Sequence, residues 1–295
     1  MSDGLANVLQ FLRQHKVSRN RIPEAISDAT TCREWLNELE KCDPNEYGTL
    51  LTTLIDKFAV WFPTEVYAKV PVLLPHVMRD NECRKQVCNA GHRKTAKGRI
   101  GESRDLWSTP SPSGYLRDDN SLIKNLASSL DVAWASPGTS IGARKRNYVA
   151  CHVWPMKTAT DPWLNSFIPN LVWLPKPLDV LSDHEGHVVQ VVLRARAQAQ
   201  FDLSHRTATE LWKALPRVSP TEGAPLQNTF RISPSWIEAR VSKIERIAKI
   251  LEMRAAGHLD VPSSGHSHYD LHVAELAPRE VRTLADRLSN YRSQI

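Results

Sequence analysis

The sequence predicts an α+β protein in which a small strand-containing unit is embedded in a mostly α-helical chain. Two observations support this prediction. Apolar residues recur at helical spacing through the first and last parts of the chain. Near the middle, two short runs rich in strand-forming residues, Tyr148–Trp154 and Asn170–Leu174, are each followed by a proline, which cannot donate to a strand ladder. The chain therefore divides into helical ends around a mixed centre.

Residues 1–75 form the first predicted region, which is helical. Its apolar positions are spaced three and four residues apart, as on the buried face of amphipathic helices. These positions are Leu5, Val8, Leu9, Leu12, Leu36, Leu39, Leu50, Leu51, Leu54, Ile55, Phe58 and Trp61. Pro63 closes the last of these helices. Because no chemically reactive group stands out, we expect this region to have a packing role.

The second region, residues 76–215, begins with a basic segment. Arg93, Lys94 and Lys97 belong to a stretch that has many cations and few acids, which suits contacts with phosphate groups. A solvated surface segment is the alternative interpretation. Cys83, Cys88 and His92 lie in or beside the same stretch, but their spacing matches no common structural zinc pattern.

The first strand run is the candidate carrier of chemistry. Successive side chains of a strand point to opposite faces, so His152 lies on the face opposite to its immediate neighbours. The two alternating sets are Val149, Cys151 and Val153 on one face and Ala150, His152 and Trp154 on the other. Pro155 ends this strand.

A second strand and a short helix follow. Asn170–Leu174 stops at Pro175, and Pro177 suits the first turn of a helix. Asp179 and Asp183 are four residues apart, so they share one face of that helix. The order is therefore strand, connector, strand, helix within residues 148–186.

This arrangement resembles the HNH, or ββα-metal, nuclease family. The matching residues are His152 at the end of the first strand, Asn170 at the start of the second, and Asp179 in the helix. The run from Asn170 to Pro175 and Lys176 is similar to one that leads into the helix of bacterial toxin nucleases of this family. The resemblance places a ββα-metal core at residues 146–200 of a nuclease domain that spans residues 76–215.

The resemblance also implies roles for individual residues. His152 would be the general base that deprotonates the attacking water, and Asn170 would hold the connector and help to orient His152. Asp179, with Asp183, would hold one divalent metal ion, Mg²⁺ or Mn²⁺. The expected contacts to the nucleic-acid backbone are Arg144, Lys145, Arg146 and Lys176, together with Arg93, Lys94 and Lys97.

Two departures from the family concern the metal. Cys151 stands where the family often has an acidic or histidine metal ligand, and a thiolate is a soft ligand that suits Mg²⁺ poorly. Either Cys151 replaces a metal ligand or it marks a weakened site. Asp179 stands where the family usually has its last histidine or asparagine, and its oxygen suits Mg²⁺ or Mn²⁺. His184 and His187 would form a second metal pair on a helix, although Gly186 argues against an unbroken helix.

Two helical segments follow the core. The pattern predicts a helix over Val188–Gln200 with Arg194 and Arg196 facing outward, and a short helix within Ser204–Leu215. Residues 216–234 are rich in proline, glycine and polar residues, which is typical of a linker or exposed loop.

Residues 235–295 are predicted to form a helical hairpin. Ser235 caps a helix over Trp236–Ala256, and a second helix covers Pro278–Arg292. The hairpin either packs on the core or joins two copies of the chain, and a homodimer of this kind would make a double-strand cut.

Composition indicates a cytoplasmic protein with a polyanionic partner. The formal net charge is +6, which favours a partner such as DNA. The cysteine count of 5 is odd, which fits a reducing compartment better than a disulfide framework. The first residues include Asp3 and lack the pattern of a secretory signal, and no apolar run is long enough to span a membrane.

These observations predict a metal-dependent DNA endonuclease, in a restriction or other defence setting by analogy with the family. The alternative is a non-catalytic nucleic-acid-binding protein with a degenerate ββα-metal fold. A helical interaction protein with an incidental basic surface is a third interpretation. No glycine-rich phosphate loop, nucleophile elbow or dinucleotide fingerprint is present, so those enzyme classes are not expected.

Overall fold

The computed structural model of the protein describes residues 4–14, 26–83, 109–133, 147–218, 228–258 and 267–295. Its helices are α1 (Gly4–Gln14), α2 (Ala29–Cys42), α3 (Pro44–Phe58), α4 (Thr64–Lys69), α5 (Ser121–Leu126), α6 (Pro155–Thr158), α7 (Lys176–Asp179), α8 (Val188–Gln200), α9 (Thr209–Lys213), α10 (Pro234–Ala255), α11 (Ser267–Val273) and α12 (Pro278–Arg292). Its strands are β1 (Val60–Trp61), β2 (Val77–Arg79), β3 (Leu116–Asp118), β4 (Asp131–Ala133), β5 (Tyr148–His152), β6 (Leu171–Pro175) and β7 (Asn228–Arg231). Helix predominates over strand, so the predicted α+β class is confirmed at this level.

One mixed sheet runs through the centre of the described part of the chain. Its strand order is β4-β7-β1-β6-β5, and β2 and β3 form a separate parallel pair. In the central sheet β1 is antiparallel to β6 and parallel to β7. The sheet therefore joins strands from three of the predicted segments, because β1 precedes residue 76 and β7 follows residue 215.

Two of these strands correct the sequence prediction. Val60 and Trp61 were expected to continue a helix, but they pair with β6 on one side and β7 on the other. The predicted linker at residues 216–234 contains β7, whose residue Asn228 donates its amide N–H to the carbonyl oxygen of Lys57 at 2.7 Å. Both strands depend on pairing with distant segments, which overrides the local pattern. Residues 219–227 of that linker lie outside the described part of the chain.

The N-terminal helices begin at acidic caps. The Asp28 carboxylate accepts the backbone N–H groups of Thr30 and Thr31 at 2.8 and 2.9 Å, so it satisfies donors at the start of α2. Asp43 accepts the N–H of Glu46 at 3.0 Å at the start of α3, which has Pro44 in its first turn. The predicted apolar stripe of α3 is buried, as expected for an amphipathic helix.

An aromatic cluster fixes the sheet against the C-terminal helices. Phe62 lies 5.5 Å from Trp173 of β6 and 5.2 Å from Phe230 of β7, measured between ring centroids. Trp236 at the start of α10 packs on the same Phe62 ring at 5.9 Å. Edge-to-face and tilted contacts at these separations are favourable for aromatic rings.

The two arginines predicted to face outward from α8 are buried instead. Arg196 makes a bidentate ion pair with Asp56 of α3 at 2.7 and 2.9 Å. Arg194 makes a similar pair with Glu185 at 3.0 and 3.2 Å. A carboxylate partner satisfies the guanidinium fork, so these side chains can leave the solvent. The predicted bounds of α8 itself are confirmed.

The C-terminal helices pack on the core. α10 begins two residues earlier than predicted. Its N-cap is Ser233 rather than Ser235, and the Ser233 hydroxyl accepts the N–H of Trp236. α12 has the predicted bounds and packs along α10. The Tyr291 hydroxyl of α12 accepts the N–H of Val72 at 2.8 Å and donates to the Val72 carbonyl oxygen at 3.0 Å. Among the described residues, no helix is long and apolar enough to cross a membrane.

Candidate active site

The backbone of the candidate site is an antiparallel hairpin followed by a short helix. β5 pairs with β6 so that Tyr148 lies opposite Pro175 and His152 lies opposite Leu171. α7 follows β6 directly and packs against both strands, and a 3₁₀ turn at Val180–Asp183 continues it. The predicted order of strand, connector, strand and helix is therefore confirmed.

Asn170 holds the connector between the two strands. Its side chain is 0% exposed. The amide oxygen accepts the backbone N–H of Trp154 at 2.8 Å, and the amide nitrogen donates to the Leu164 carbonyl oxygen at 2.8 Å and to the Thr158 hydroxyl at 3.0 Å. These bonds join the start, the middle and the end of the connector. Asn170 thus shapes the loop that surrounds His152.

His152 lies at the end of β5 with one ring nitrogen engaged by the connector. Its Nε2 is 3.0 Å from the backbone carbonyl oxygen of Asn165. A carbonyl oxygen only accepts hydrogen bonds, so Nε2 carries the proton in this contact and the neutral ring has its lone pair at Nδ1. The side chain is 4% exposed. The ring is therefore oriented by the backbone of the connector.

Burial keeps this imidazole neutral. The pKa of His152 is lowered from 6.5 to about 4, mainly by desolvation and also by the Arg79 guanidinium at the end of β2. The Asn165 backbone and side chain act in the opposite direction. Near neutral pH the Nδ1 lone pair is thus available to accept a proton.

Asn165 is a site residue that the sequence prediction missed. Its side chain is 0% exposed, and neither its amide oxygen nor its amide nitrogen has a hydrogen-bond partner within the described ranges. The amide lies close enough to His152 to raise its pKa, but without normal hydrogen-bond geometry. An unsatisfied buried amide costs about 1–3 kcal/mol. Such a group is expected where a bound water or substrate atom completes its hydrogen bonding.

The opposite face of β5 carries Cys151, one of the residues predicted to hold metal. Cys151 is buried, and its Sγ lies 3.6 Å from the Val149 carbonyl oxygen. Burial raises the pKa of the Cys151 thiol to about 12, and the Ser182 hydroxyl lowers it while Asp179 and Asp183 raise it. Cys151 is therefore a neutral thiol, which is a poor ligand for a hard cation.

The prediction that Asp179 and Asp183 share one face of a helix is wrong, because α7 ends at Asp179 and a 3₁₀ turn that ends at Asp183 follows it. Desolvation is the main cause that raises the pKa of the half-buried Asp179 carboxyl, and the charge of Asp183 adds to it. Three groups lower the pKa of Asp179: the Val180 N–H, which donates to its carboxylate at 2.8 Å, Arg33 of α2, and Lys176. Asp183 is exposed. Their oxygen atoms match the ligands that Mg²⁺ or Mn²⁺ prefers.

These groups do not form a dense cluster. In the part of the chain that the structure describes, no group of three or more histidine, cysteine or acidic side chains is arranged to hold a metal ion. The donors that fit a hard cation are the two carboxylates, whereas the Cys151 thiol does not fit. Protein groups would therefore supply only part of the coordination shell.

Of the histidine pair His184 and His187, the second residue has a structural role. His187 Nδ1 accepts the N–H of Val189 at 3.2 Å and so caps α8, while its Nε2 lies 2.9 Å from the Tyr47 hydroxyl. Both ring nitrogens are engaged by the protein. His184 is exposed, and its ring centroid is 6.4 Å from that of His187. The alternative of a metal pair at these two residues is not favoured by this arrangement.

Most of the basic residues predicted to contact nucleic acid cannot be placed. Lys176 is exposed at the start of α7. Arg93, Lys94, Lys97, Arg144, Lys145 and Arg146 lie outside the described residues, as do Cys88 and His92 of the zinc alternative.

Comparison with known proteins gives no relative. No family model matches this chain, and no curated protein and no solved structure matches it. The likeness to the HNH family therefore rests on the residues of the strand, connector, strand and helix alone.

Proposed function

We propose that the protein is a metal-dependent endonuclease that hydrolyses DNA phosphodiester bonds with His152 as the general base. The observation that supports this most is the contact of His152 Nε2 with the Asn165 carbonyl oxygen at 3.0 Å. It leaves Nδ1 as the only ring nitrogen that can take a proton from water. A general base needs a defined tautomer and a neutral ring, and the pKa of about 4 makes His152 a weak base near neutral pH.

The chemistry assigned to His152 is one proton transfer. Nδ1 takes a proton from water as the water oxygen forms a bond to phosphorus. The bond from phosphorus to the leaving 3′ oxygen breaks, and that oxygen takes a proton from solvent. The products carry 5′-phosphate and 3′-hydroxyl ends, as the family resemblance implies.

Two further side chains would act on the phosphate and the water. The charge of Arg79 lowers the pKa of His152, and its guanidinium suits a non-bridging phosphate oxygen. The buried Asn165 amide would position the attacking water beside His152. The family resemblance assigns the metal ion, Mg²⁺ or Mn²⁺, to Asp179 and Asp183. These carboxylates lie with Cys151 on the face of β5 opposite to His152, so a metal ion held there does not fit a role at the leaving oxygen of a phosphodiester bound beside His152.

A restriction or other defence endonuclease is the setting we propose by analogy with the family. A double-strand cut would require two active sites, and two copies of the chain would supply them. Cytoplasmic location is part of the same proposal.

A non-catalytic nucleic-acid-binding protein is the second candidate. Two observations favour it: His152 is only 4% exposed, which restricts the approach of a phosphodiester, and Cys151 is a neutral thiol in place of a hard ligand. The same strand, connector and helix would then serve only as a scaffold.

Incubation of supercoiled plasmid with the purified protein and Mg²⁺ or Mn²⁺, beside a chelator control, tests the proposal. We expect nicking or linearisation that needs the metal and leaves ends that ligase can rejoin. DNA binding without cleavage, on modified and unmodified plasmid and with either metal, would favour the second candidate instead.

A further inference from the structure

Three cations on α10 form a surface that we call the α10 basic strip: Arg240, Lys243 and Arg246. Each lies three residues from the next, so neighbouring members face each other on the helix. None of the three has an acidic residue three or four positions away on α10. The helix therefore offers these cations no ion pair of its own and places them against one another.

Other helices of the protein treat their cations differently. Lys41 lies 2.7 Å from Glu38 on α2, and Lys213 lies 2.6 Å from Glu210 on α9, each at a separation of three residues. Within the described ranges, no carboxylate lies within ion-pair distance of any member of the α10 basic strip. Like-charge neighbours at this spacing destabilise a helix.

The strip is also partly desolvated, which adds to this cost. Lys243 is half-buried, and burial, Arg240 and Arg246, in that order, lower the pKa of its ammonium to about 8. The Arg240 guanidinium lies 5.3 Å from the centre of the Trp236 ring. Among the described residues, its Nε is a buried donor without an acceptor.

We propose that the α10 basic strip binds the phosphate backbone of nucleic acid. Its members rise along the helix axis in steps of about 4.5 Å, on an element that is anchored to the sheet through Trp236 and Phe62. Duplex DNA carries one negative charge per about 1.7 Å of its axis, so several phosphates lie within reach of such a row. A phosphate contact with these cations relieves the repulsion within the strip.

The pattern of apolar exposure distinguishes this partner from a lipid surface. A membrane-binding helix carries exposed apolar residues beside its cations. The large hydrophobic side chains exposed in the described part of the chain are Val180, Val191 and Leu271, and none of them lies on α10. The choice of DNA as the probe rests on the proposed function, but binding to the strip does not require cleavage.

The test is equilibrium binding of a fluorescent DNA duplex in chelator across a range of salt concentrations. The triple variant Arg240→Gln, Lys243→Gln, Arg246→Gln is compared with a control triple of equal charge change, Lys69→Gln, Lys124→Gln, Arg279→Gln, at exposed positions elsewhere. We expect the strip variant to bind more weakly and its plot of log affinity against log salt to be less steep by about 2–3, because each lost phosphate contact removes about 0.9. The control should keep the wild-type slope.

A strip variant with the wild-type slope, or a wild type that binds anionic vesicles but not DNA, overturns the inference. A wild type that binds DNA with the expected slope change but never cleaves it supports the strip and overturns the nuclease proposal. A wild type that cleaves DNA, with an unchanged salt slope in the strip variant, supports the nuclease proposal and overturns the inference about the strip. Failure of the two proposals is thus distinguishable.

A second measurement uses the wild-type protein and so does not depend on how the variants fold. A Lys243 amine with a pKa of about 8 is about half unprotonated near pH 8, whereas ordinary lysines are almost fully protonated, so it should react with an acylating reagent before they do. We expect bound DNA to protect Lys243 in peptide mass spectrometry while Lys69 stays reactive. Equal labelling of Lys243 with and without bound DNA contradicts the proposal.

Discussion

The two faces of β5 carry neighbouring residues in very different surroundings. On one face, His152 is enclosed by a connector whose backbone carbonyl fixes its ring at 3.0 Å. On the other face, Cys151 meets the short helix where Asp179 is half-buried and Asp183 is exposed. The first face is set by backbone hydrogen bonds and the second by acidic side chains. The proposed base and the proposed metal ligands therefore depend on separate parts of the fold.

The connector can be broken at Asn170, where we expect the largest effect. Asn170→Ala removes three buried hydrogen bonds and leaves the Trp154 N–H and the Leu164 carbonyl oxygen without their partner. The free energy of unfolding should fall by about 2–4 kcal/mol in urea denaturation. The exposed Asn125→Ala on α5 is the matched control and should change it little. A loss at Asn170 no larger than the control would mean that the connector does not depend on this clamp.

The enclosure of His152 predicts a pH dependence of stability. Its pKa is lowered from 6.5 to about 4 in the folded state, so between these values the unfolded chain binds a proton that the folded chain does not. This contribution is fully present above the unfolded pKa and is lost as the pH falls toward 4. Between pH 7 and pH 5 the unfolding free energy should fall by about 2 kcal/mol from this group.

The comparison variant for this measurement is His152→Gln, which cannot titrate. Urea denaturation at both pH values should show a smaller loss in the variant than in the wild type. If the two proteins lose stability equally, His152 is not held neutral by burial.

The acidic face is tested through metal affinity. Asp179→Asn should raise the Mn²⁺ dissociation constant by at least about 10-fold in calorimetric titration, because it removes the half-buried carboxylate. The exposed Asp183→Asn should have a smaller effect. Glu210→Gln, which makes the same charge change on α9, serves as the control. Equal Mn²⁺ affinity in all three variants would show that Asp179 and Asp183 do not bind the metal ion.

Substitutions at Asn165 test the His152 face of β5, because the Asn165 carbonyl oxygen contacts the His152 ring. Asn165→Ala should lower kcat by about 10-fold if its amide positions the water, without destabilising the fold, since the lost amide has no described partner. Asn165→Asp should shift the acidic limb of the kcat profile to higher pH, because a carboxylate beside His152 favours the imidazolium. A purely structural role predicts lower stability and an unshifted profile.

The sequence predicted the elements whose signals are local. The apolar periodicity gave α8 and α12 their observed bounds, and the two strands lie where the strand-forming runs predicted them. β5 ends at His152, three residues before Pro155, and Pro175 is the last residue of β6. The sequence did not predict β1, because two residues form a strand only when β6 and β7 lie on either side. Arg194 and Arg196 were placed outward because periodicity cannot foresee the carboxylates of Glu185 and Asp56.

The site was predictable to a similar extent. Residue type and spacing selected His152 and Asn170, which the structure brings together around one connector. The partner of His152 could not be predicted, since any residue supplies a backbone carbonyl and only the folded connector decides that Asn165 does so. The orphan amide of Asn165 is likewise a property of its burial.

The most direct measurement is the rate of metal-dependent plasmid cleavage by His152→Ala beside Cys151→Ser. The two residues are neighbours in β5, but their side chains lie on opposite faces of the strand. We expect His152→Ala to lose about 10²–10⁴-fold in rate, as for a lost general base, while Cys151→Ser cleaves at nearly the wild-type rate. Cleavage by His152→Ala at the wild-type rate, or an equal loss in Cys151→Ser, would contradict His152 as the base.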